Sequence, residues 1–295
     1  MLIKSFLEYL EYEKAYSSHT TVSYENDLFQ FKEFVDPAAE NDDCLLEVQG
    51  SLVRAWMVSL MDQAYEATSV NRKLSSLKSF YRFLVKNNYL KQSPTRKIVG
   101  PKANKPLPYF VREEDMDALF REMEWDDSFQ GVRDKAILDT FYMTGIRCAE
   151  LVGLKDRDVD YSAGLIRVTG KRNKQRLIPF SPVLKSSLED YAKKRDEEIE
   201  RAGNDSLFVR ADGRSLTNSC VYEIVRRRLE GVPNLKKRSP HILRHTFATS
   251  MLNHGAGLVA VKELLGHSTL ASTEVYTHTT FEELKKAYHQ AHPRA

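Results

Sequence analysis

One segment of this 295-residue chain has the alternation of a β hairpin: Leu165-Ile166-Arg167-Val168-Thr169, then Gly170-Lys171-Arg172-Asn173-Lys174, then Gln175-Arg176-Leu177-Ile178-Pro179. The outer groups are rich in β-branched and apolar residues, and the polar group between them contains a glycine, as is typical of two strands and their turn. Residues 160–164 predict a further turn just before the hairpin. No other segment has so clear a strand pattern. We therefore expect a mainly α protein whose second, mostly helical domain contains a small antiparallel β-sheet.

Apolar residues recur at spacings of three and four on both sides of the hairpin, which is the period of amphipathic helices. The first part of the chain has four such segments with short connections, which favours an N-terminal four-helix bundle. They span residues 6–10, 24–35, 52–61 and 70–86. The second part repeats the pattern over residues 113–123, 131–144, 183–202, 219–230, 243–253, 258–265 and 280–290.

Residues 93–110 differ in composition from both parts. Prolines and a glycine interrupt any helix there, and the stretch from 91 to 108 contains cations but no acidic residue. It is either a solvated linker between domains or a stiff strap that lies along a phosphate backbone. We therefore predict three regions: a helical domain over 1–92, a basic proline-rich linker over 93–110 and a second domain over 111–295.

The composition excludes several classes of protein. Hydrophobic residues make up 42% and charged residues 29%, so the chain is not intrinsically disordered. No apolar run reaches the length of a membrane helix, and the N-terminus carries charge too early for a secretory signal. The three cysteines are far apart, which indicates a reducing compartment without disulfides. We expect a cytoplasmic protein with no membrane partner. The net charge of +3 is too small to indicate nucleic acid by itself.

Familiar cofactor and metal patterns are missing. The chain has no GxxxxGK[ST] loop, no GxGxxG after a strand and no GxSxG elbow. His241 and His245 have zinc-helix spacing, but Ile242 occupies the position of the HExxH glutamate. We expect neither a cofactor nor a metal.

What remains is a set of cations with imidazoles and one phenol, a combination that suits an anionic phosphodiester. Guanidinium groups match paired phosphate oxygens, and preorganised cations stabilise the charge that develops when a phosphodiester is attacked. A tyrosine hydroxyl could then be the nucleophile without a metal. Each residue alone also has an ordinary structural explanation, as a surface cation, a helix cap or a packing residue. The set is Arg147, Lys171, His241, Arg244, His267 and Tyr276.

The order of these motifs resembles the tyrosine recombinase (phage integrase) family, and the compact chain resembles its Xer branch. The resemblance spans nearly the whole chain, and the joint occurrence of the motifs is specific to the family. It implies that the N-terminal bundle binds the core DNA site and that residues 111–295 are catalytic. The motifs are Thr144-Gly145-Ile146-Arg147-Cys148-Ala149-Glu150-Leu151, Gly170-Lys171, His241-x-x-Arg244-His245, Leu265-Gly266-His267 and Tyr276-x-His278.

The resemblance implies the role of each catalytic residue. Tyr276 would attack the scissile phosphate to give a 3′-phosphotyrosyl intermediate, while Arg147 and Arg244 would hold the non-bridging oxygens. The resemblance also implies that strand exchange requires neither ATP nor a metal.

Four further residues would support this chemistry. Lys171 would protonate the leaving 5′ oxygen, and His241 would act as general acid and base. His267 would hydrogen-bond the phosphate, and Glu150 would orient Arg147.

Several other cations are candidate DNA contacts. Three follow the fourth helix outside its apolar stripe, two lie in the linker and two lie in the hairpin turn. They are Lys73, Lys78, Arg82, Lys102, Lys105, Arg172 and Lys174.

The last predicted helix has an apolar stripe that includes Phe281, Leu284 and Tyr288. It either packs on its own domain or, as the resemblance implies, docks into a neighbouring subunit of a homo- or hetero-tetramer on duplex DNA. The Xer branch further implies resolution of chromosome dimers, with a septal DNA translocase as a candidate activator. The alternatives are an integrase or transposase of a mobile element, a type IB topoisomerase and a non-catalytic DNA-binding regulator.

Overall fold

The computed structural model describes residues 1–103, 110–122, 125–170, 173–201, 203–232, 235, 237–266 and 281–294, without the side chains of His19 and Glu122. The chain forms two compact units, Met1–Pro106 and Leu107–Ala295. Within the described ranges, no helix is long and apolar enough to cross a membrane.

The N-terminal unit is a bundle of four α-helices around one apolar core. The first helix continues into a π-helical turn over Tyr9–Glu13, and a 3₁₀ turn over Asp43–Leu46 precedes the third. Aromatic rings dominate the core, because large apolar side chains remove the most surface from water. Phe31 lies edge-on to Trp56 with ring centroids 4.9 Å apart, and both are almost completely buried. The helices are α1 (Leu2–Glu8), α2 (Ser18–Val35), α3 (Gly50–Asp62) and α4 (Ala67–Lys86).

Part of the segment predicted as a linker belongs to this bundle. Ile98 is buried in the N-terminal core, and the Asn71 side chain donates a hydrogen bond of 2.8 Å to the Pro101 carbonyl. Residues 104–109 lie outside the described ranges.

The second unit is mostly helical and contains the expected sheet. Its helices are α5 (Glu113–Glu122), α6 (Phe129–Thr144), α7 (Cys148–Val152), α8 (Pro182–Glu198), α9 (Asn218–Arg228), α10 (Pro240–Asn253), α11 (Leu258–Leu265) and α12 (Phe281–Ala291). Helix α6 is buried on nearly all sides and packs against α8, α9 and α10, so it forms the centre of the unit.

The sheet is antiparallel and has the order β1-β2-β3, with strands β1 (Val159–Asp160), β2 (Leu165–Thr169) and β3 (Gln175–Pro179). Ile166 pairs with Ile178 and Val168 with Arg176. Ile166, Val168 and Ile178 are fully buried, so this face of the hairpin is fixed against the core. The predicted fold class is confirmed, although Asp160, the second residue of strand β1, was expected to begin a turn.

Helix α12 packs on its own unit. Tyr288 and Ala291 are buried in a small apolar cluster with Phe247 and Met251 of α10 and with the end of α11. The His292 side chain is also buried, and its Nε2 lies 3.2 Å from the Tyr142 carbonyl. Of the two placements predicted for this helix, packing on its own domain is therefore the one in this structure.

Candidate active site

Three arginines from three different elements donate hydrogen bonds to the C-terminal end of α11. The last carbonyls of a helix lack partners within the helix and carry the negative end of its dipole, so they attract cations. Gly266 ends the helix in the left-handed region, at φ +63°. Three consecutive carbonyls each accept one guanidinium N–H: Leu264 from Arg176 Nε (2.8 Å), Leu265 from Arg244 Nη2 (2.6 Å) and Gly266 from Arg147 Nη2 (2.8 Å).

Glu150 joins two of these arginines. It is the third residue of α7, and its Oε2 accepts the backbone N–H of Arg147, the N-cap residue, at 2.9 Å. Its Oε1 accepts Arg147 Nη1 at 2.8 Å. Arg176 binds the same carboxylate in a bidentate contact, which we call the fork. Its Nη1 donates to Oε1 and its Nη2 to Oε2, both at 2.9 Å.

The charge of this carboxylate is strongly stabilised. Burial alone would raise the pKa of Glu150, but the hydrogen bonds and charge of Arg176, together with those of Arg147, lower it to about 2. Glu150 is therefore ionised at every pH at which the protein would work. It holds the half-buried guanidinium of Arg147, which still has other N–H donors for an anion.

Arg244 is fixed by the end of a second helix. Its Nη1 donates to the carbonyl of Gly145, which ends α6 in the left-handed region at φ +59°. A Cβ at Gly145 would lie 2.5 Å from the Phe247 ring and 2.8 Å from Leu265, so only glycine fits there. Burial and then the charge of Arg147 lower the pKa of Arg244 to about 10, which leaves it protonated at neutral pH. Arg147 and Arg244 thus lie side by side on consecutive carbonyls.

His241 lies in the first turn of α10, one turn before Arg244. Its ring is edge-on to Tyr222, with centroids 6.3 Å apart. Burial, followed by the charges of His245 and Arg244, lowers the pKa of His241 below its usual 6.5. The imidazole is therefore mainly neutral at pH 7 and can accept a proton.

Three of the six predicted catalytic residues, Lys171, His267 and Tyr276, lie outside the described residues, as do Arg172 and Lys105. The described neighbour of Lys171 is Gly170, whose N–H donates to the Lys174 carbonyl at 2.7 Å and closes the hairpin. A Cβ on Gly170 would lie 3.3 Å from Glu150 Oε1. The residue before Lys171 therefore lies against the carboxylate that holds Arg147.

The candidate DNA contacts differ in exposure. Arg82, Lys102 and Lys174 are exposed, and Lys78 is half-buried. The prediction that Lys73 lies away from the apolar stripe is wrong: it is 8% exposed.

A buried carboxylate explains the position of Lys73. Asp27 on α2 accepts Lys73 Nζ at 3.0 Å, and Gln30 accepts the same Nζ at 2.7 Å. The neighbouring Arg72, half exposed, also donates to Asp27. Arg72 was not among the predicted contacts, because the carboxylate that orients it is 45 residues away in sequence.

Arg176 was also not identified from the sequence. Strand alternation was the available signal, because Arg176 is two residues before the buried Ile178 and so faces the same side of the sheet. Among the described residues, no group of three or more His, Cys, Asp or Glu side chains could hold a metal ion.

Comparison with protein families agrees with this geometry. The Phage integrase family matches residues 109–283, and the Phage integrase N-terminal SAM-like domain matches residues 3–88. The chain belongs to the phage integrase family of tyrosine recombinases, and it is a recombinase enzyme of that family.

Individual relatives cover the full chain. It is 39% identical to tyrosine recombinase XerC of Listeria innocua, over 100% of this chain and 98% of the relative. It is 38% identical to tyrosine recombinase XerC of Chlorobaculum tepidum, over 98% of this chain and 94% of the relative. The resemblance to the Xer branch is therefore confirmed.

Solved structures share the fold. The XerH site-specific recombinase bound to a palindromic difH substrate superposes with a TM-score of 0.72 at 23% identity, over 91% of this chain and 78% of that one. The Tn1549 transposon integrase in complex with transposon right end DNA gives a TM-score of 0.75 at 18% identity, over 97% of both chains.

Proposed function

We propose that this protein cuts and rejoins duplex DNA at a specific site through a 3′-phosphotyrosyl intermediate. The observation that carries the proposal is the pair of arginines, Arg147 and Arg244, held on consecutive carbonyls at the end of α11. Two fixed guanidiniums side by side provide donors for the two non-bridging oxygens of one phosphodiester.

In the proposed cleavage step, Tyr276 Oη forms a bond to the scissile phosphorus and the bond to the 5′ oxygen breaks. The phenol proton passes to a base, and a second proton reaches the leaving 5′ oxygen. Negative charge builds up on the non-bridging oxygens, where fixed cations stabilise the transition state more than the ground state. The 5′-hydroxyl of a partner strand reverses the attack, so the phosphodiester is conserved without ATP.

Side-chain chemistry supports the assignment of the proton carriers. A free tyrosine has a pKa of about 10 and needs a base at pH 7. The lowered pKa of His241 makes its imidazole suitable for that role. Lys171 is assigned as the acid for the leaving oxygen and His267 as a phosphate hydrogen-bond donor, both from the motif order.

We further propose the Xer role, the resolution of chromosome dimers, because full-length relatives at 38–39% identity are named XerC. A plasmid with two copies of the terminus-region repeat of the host should be resolved into two circles, whereas a plasmid with one copy should not change in topology. Relaxation of the one-copy plasmid would instead indicate a topoisomerase. Recombination of only mobile-element ends would indicate an integrase.

The active assembly is proposed to be a tetramer on DNA, in which α12 docks into a neighbouring subunit. In the structure α12 packs on its own unit through Tyr288 and Ala291, so this exchange requires release of that contact. Removal of the residues after Thr280 should impair pairing of two sites more than binding of one site. Undiminished recombination by the truncated protein would contradict the exchange.

Two solution conditions test the proposed DNA binding and the proposed chemistry. Binding should weaken steeply with salt, because cations that contact phosphates release counterions from the duplex. Chelator should leave cleavage unchanged, because the proposed charge stabilisation comes from side chains. A flat salt response would contradict binding through phosphate contacts, and cleavage that requires added magnesium or zinc would contradict the mechanism.

A further inference from the structure

We propose that Arg176 is a positioning residue for the recombination chemistry: it fixes Glu150 and the end of α11, and through them the guanidinium of Arg147. This inference rests on the proposed function, in which Arg147 binds the scissile phosphate. Arg176 itself was not among the predicted site residues, and it acts without touching the phosphate.

Arg147 is held at two points. Its guanidinium lies between two acceptors on separate elements, Glu150 Oε1 on α7 at 2.8 Å and the Gly266 carbonyl after α11 at 2.8 Å. Its position therefore depends on the distance between these two elements. Neither acceptor fixes that distance by itself.

Arg176 contacts both elements at once. Its Nη1 and Nη2 form a fork on the Glu150 carboxylate, and its Nε donates to the carbonyl of Leu264, two residues before Gly266. One planar group thus joins α7 to the end of α11. A planar fork has little freedom to rotate, so it transmits orientation as well as charge.

Arg176 is closely surrounded on its other sides. The residue lies on β3 opposite the fully buried Val168, and a Cβ on Gly266 would come within 2.9 Å of Arg176 Nη1. The side chain is 15% exposed, and the Glu150 side chain is 4% exposed. The fork is therefore shielded from water, and its loss would leave Glu150 buried with fewer donors.

The same fork reaches the hairpin turn. Gly170 lies against Glu150 Oε1, and Lys171 follows it directly. Gly170 directly follows β2 and Arg176 lies in β3, so Gly170, Arg176 and Arg147 all lie against the same Glu150 carboxylate. A small displacement of a catalytic group can slow a reaction about a hundredfold, even when the altered residue does not touch the substrate.

The test compares the full-length protein with three variants on a nicked suicide duplex at saturating protein. Arg176→Met removes the fork, and Arg176→Lys keeps the charge but not the fork. Arg167→Met is the matched control. Arg167 lies on the neighbouring strand β2, and its side chain, which is 44% exposed, makes an ion pair with Asp158. The readouts are the rate of covalent adduct formation, the affinity for one site and the thermal unfolding temperature.

We expect Arg176→Met and Arg176→Lys to form adduct at least about tenfold more slowly at saturating protein. Their affinity for one site should stay within about threefold of the original, because Arg176 itself contacts no phosphate. Arg167→Met should retain the original rate. A cleavage rate for Arg176→Lys equal to that of the original protein would overturn the positioning role, even if Arg176→Met fails to fold.

A double variant separates positioning from general destabilisation. If Arg176 acts through Glu150, then combining Arg176→Lys with Glu150→Gln should slow cleavage little beyond the slower single variant. If the double variant were instead slowed by the product of the two single factors, the inference would be contradicted. A different result would contradict the proposed function: the original protein itself would form no adduct on DNA that it binds.

Discussion

Glu150 and Arg176 form a bidentate ion pair, with both nitrogen–oxygen distances at 2.9 Å, that joins helix α7 to strand β3. The pair brings together segments that are 26 residues apart in sequence. Together with the carbonyls at the end of α11, it accounts for the convergence of Arg147 and Arg244 in a protein whose catalytic motifs are spread over half of its length.

Gly266→Ala should slow cleavage as well as lower stability. The residue has φ +63°, and an added Cβ would lie 2.9 Å from Arg176 Nη1, so the arginine that holds Glu150 would have to shift. The left-handed backbone alone costs about 1–2 kcal/mol for alanine. Thermal unfolding and the rate of adduct formation measure the two effects separately.

Gly255→Ala is the matched control for that change. Gly255 also has positive φ, +85°, but a Cβ there would meet no heavy atom within 4 Å. Both variants should lose the stability that a left-handed alanine costs, and only Gly266→Ala should also lose cleavage rate. Equal cleavage rates in the two variants would show that contact with Arg176 has no consequence.

Asp27→Asn should destabilise the N-terminal unit by roughly 3–5 kcal/mol, because it leaves the buried ammonium of Lys73 without its carboxylate. Asp27 is 1% exposed and accepts from Arg72, Lys73 and Ser76. Glu13→Gln is the control, since its pair with Lys86 is long, at 3.8 Å, and exposed on both sides. The control should change stability by less than about 1 kcal/mol in urea unfolding. Equal losses would contradict the structural role of Asp27.

Packing of the C-terminal helix should depend on pH through His292. Burial lowers the pKa of this imidazole to about 4, with the charges of Arg294 and His254 acting in the same direction and the Tyr142 carbonyl opposing them. An unfolded or detached segment binds a proton near pH 6.5, whereas the packed one does not until about pH 4. Packing is therefore fully favourable above pH 6.5 and weakens as the pH falls towards 4, by about 2 kcal/mol at pH 5.

Hydrogen exchange of the α12 amides measures this effect. The original protein should lose protection between pH 7.5 and pH 5, after correction for the intrinsic exchange rate. His292→Gln does not titrate and should show a much smaller change over the same interval. Identical pH profiles for the two proteins would exclude His292 as the cause.

Local patterns were sufficient for the predicted fold class, whereas the catalytic residues came from the order of motifs along the whole chain. Helical periodicity identified the four helices of the N-terminal bundle, and strand alternation identified β2 and β3, because both depend on neighbours close in sequence. The motif around Arg147 predicted its contact with Glu150, three residues away in the first turn of α7. Arg176 was not identified, and Lys73 was predicted on the wrong face of its helix, because the residues that orient them are distant in sequence. Each is oriented by a buried carboxylate on a different element, and a spacing rule within one helix or strand does not contain that partner.

The most direct test of the central claim is covalent capture. A nicked suicide duplex that bears the terminus-region repeat of the host should give a protein–DNA adduct that survives a denaturing gel. Tyr276→Phe should bind the same duplex with similar affinity and give no adduct, because the ring without its hydroxyl has no nucleophile. An adduct formed by Tyr276→Phe at the original rate, or none from the original protein on DNA that it binds, would contradict the account.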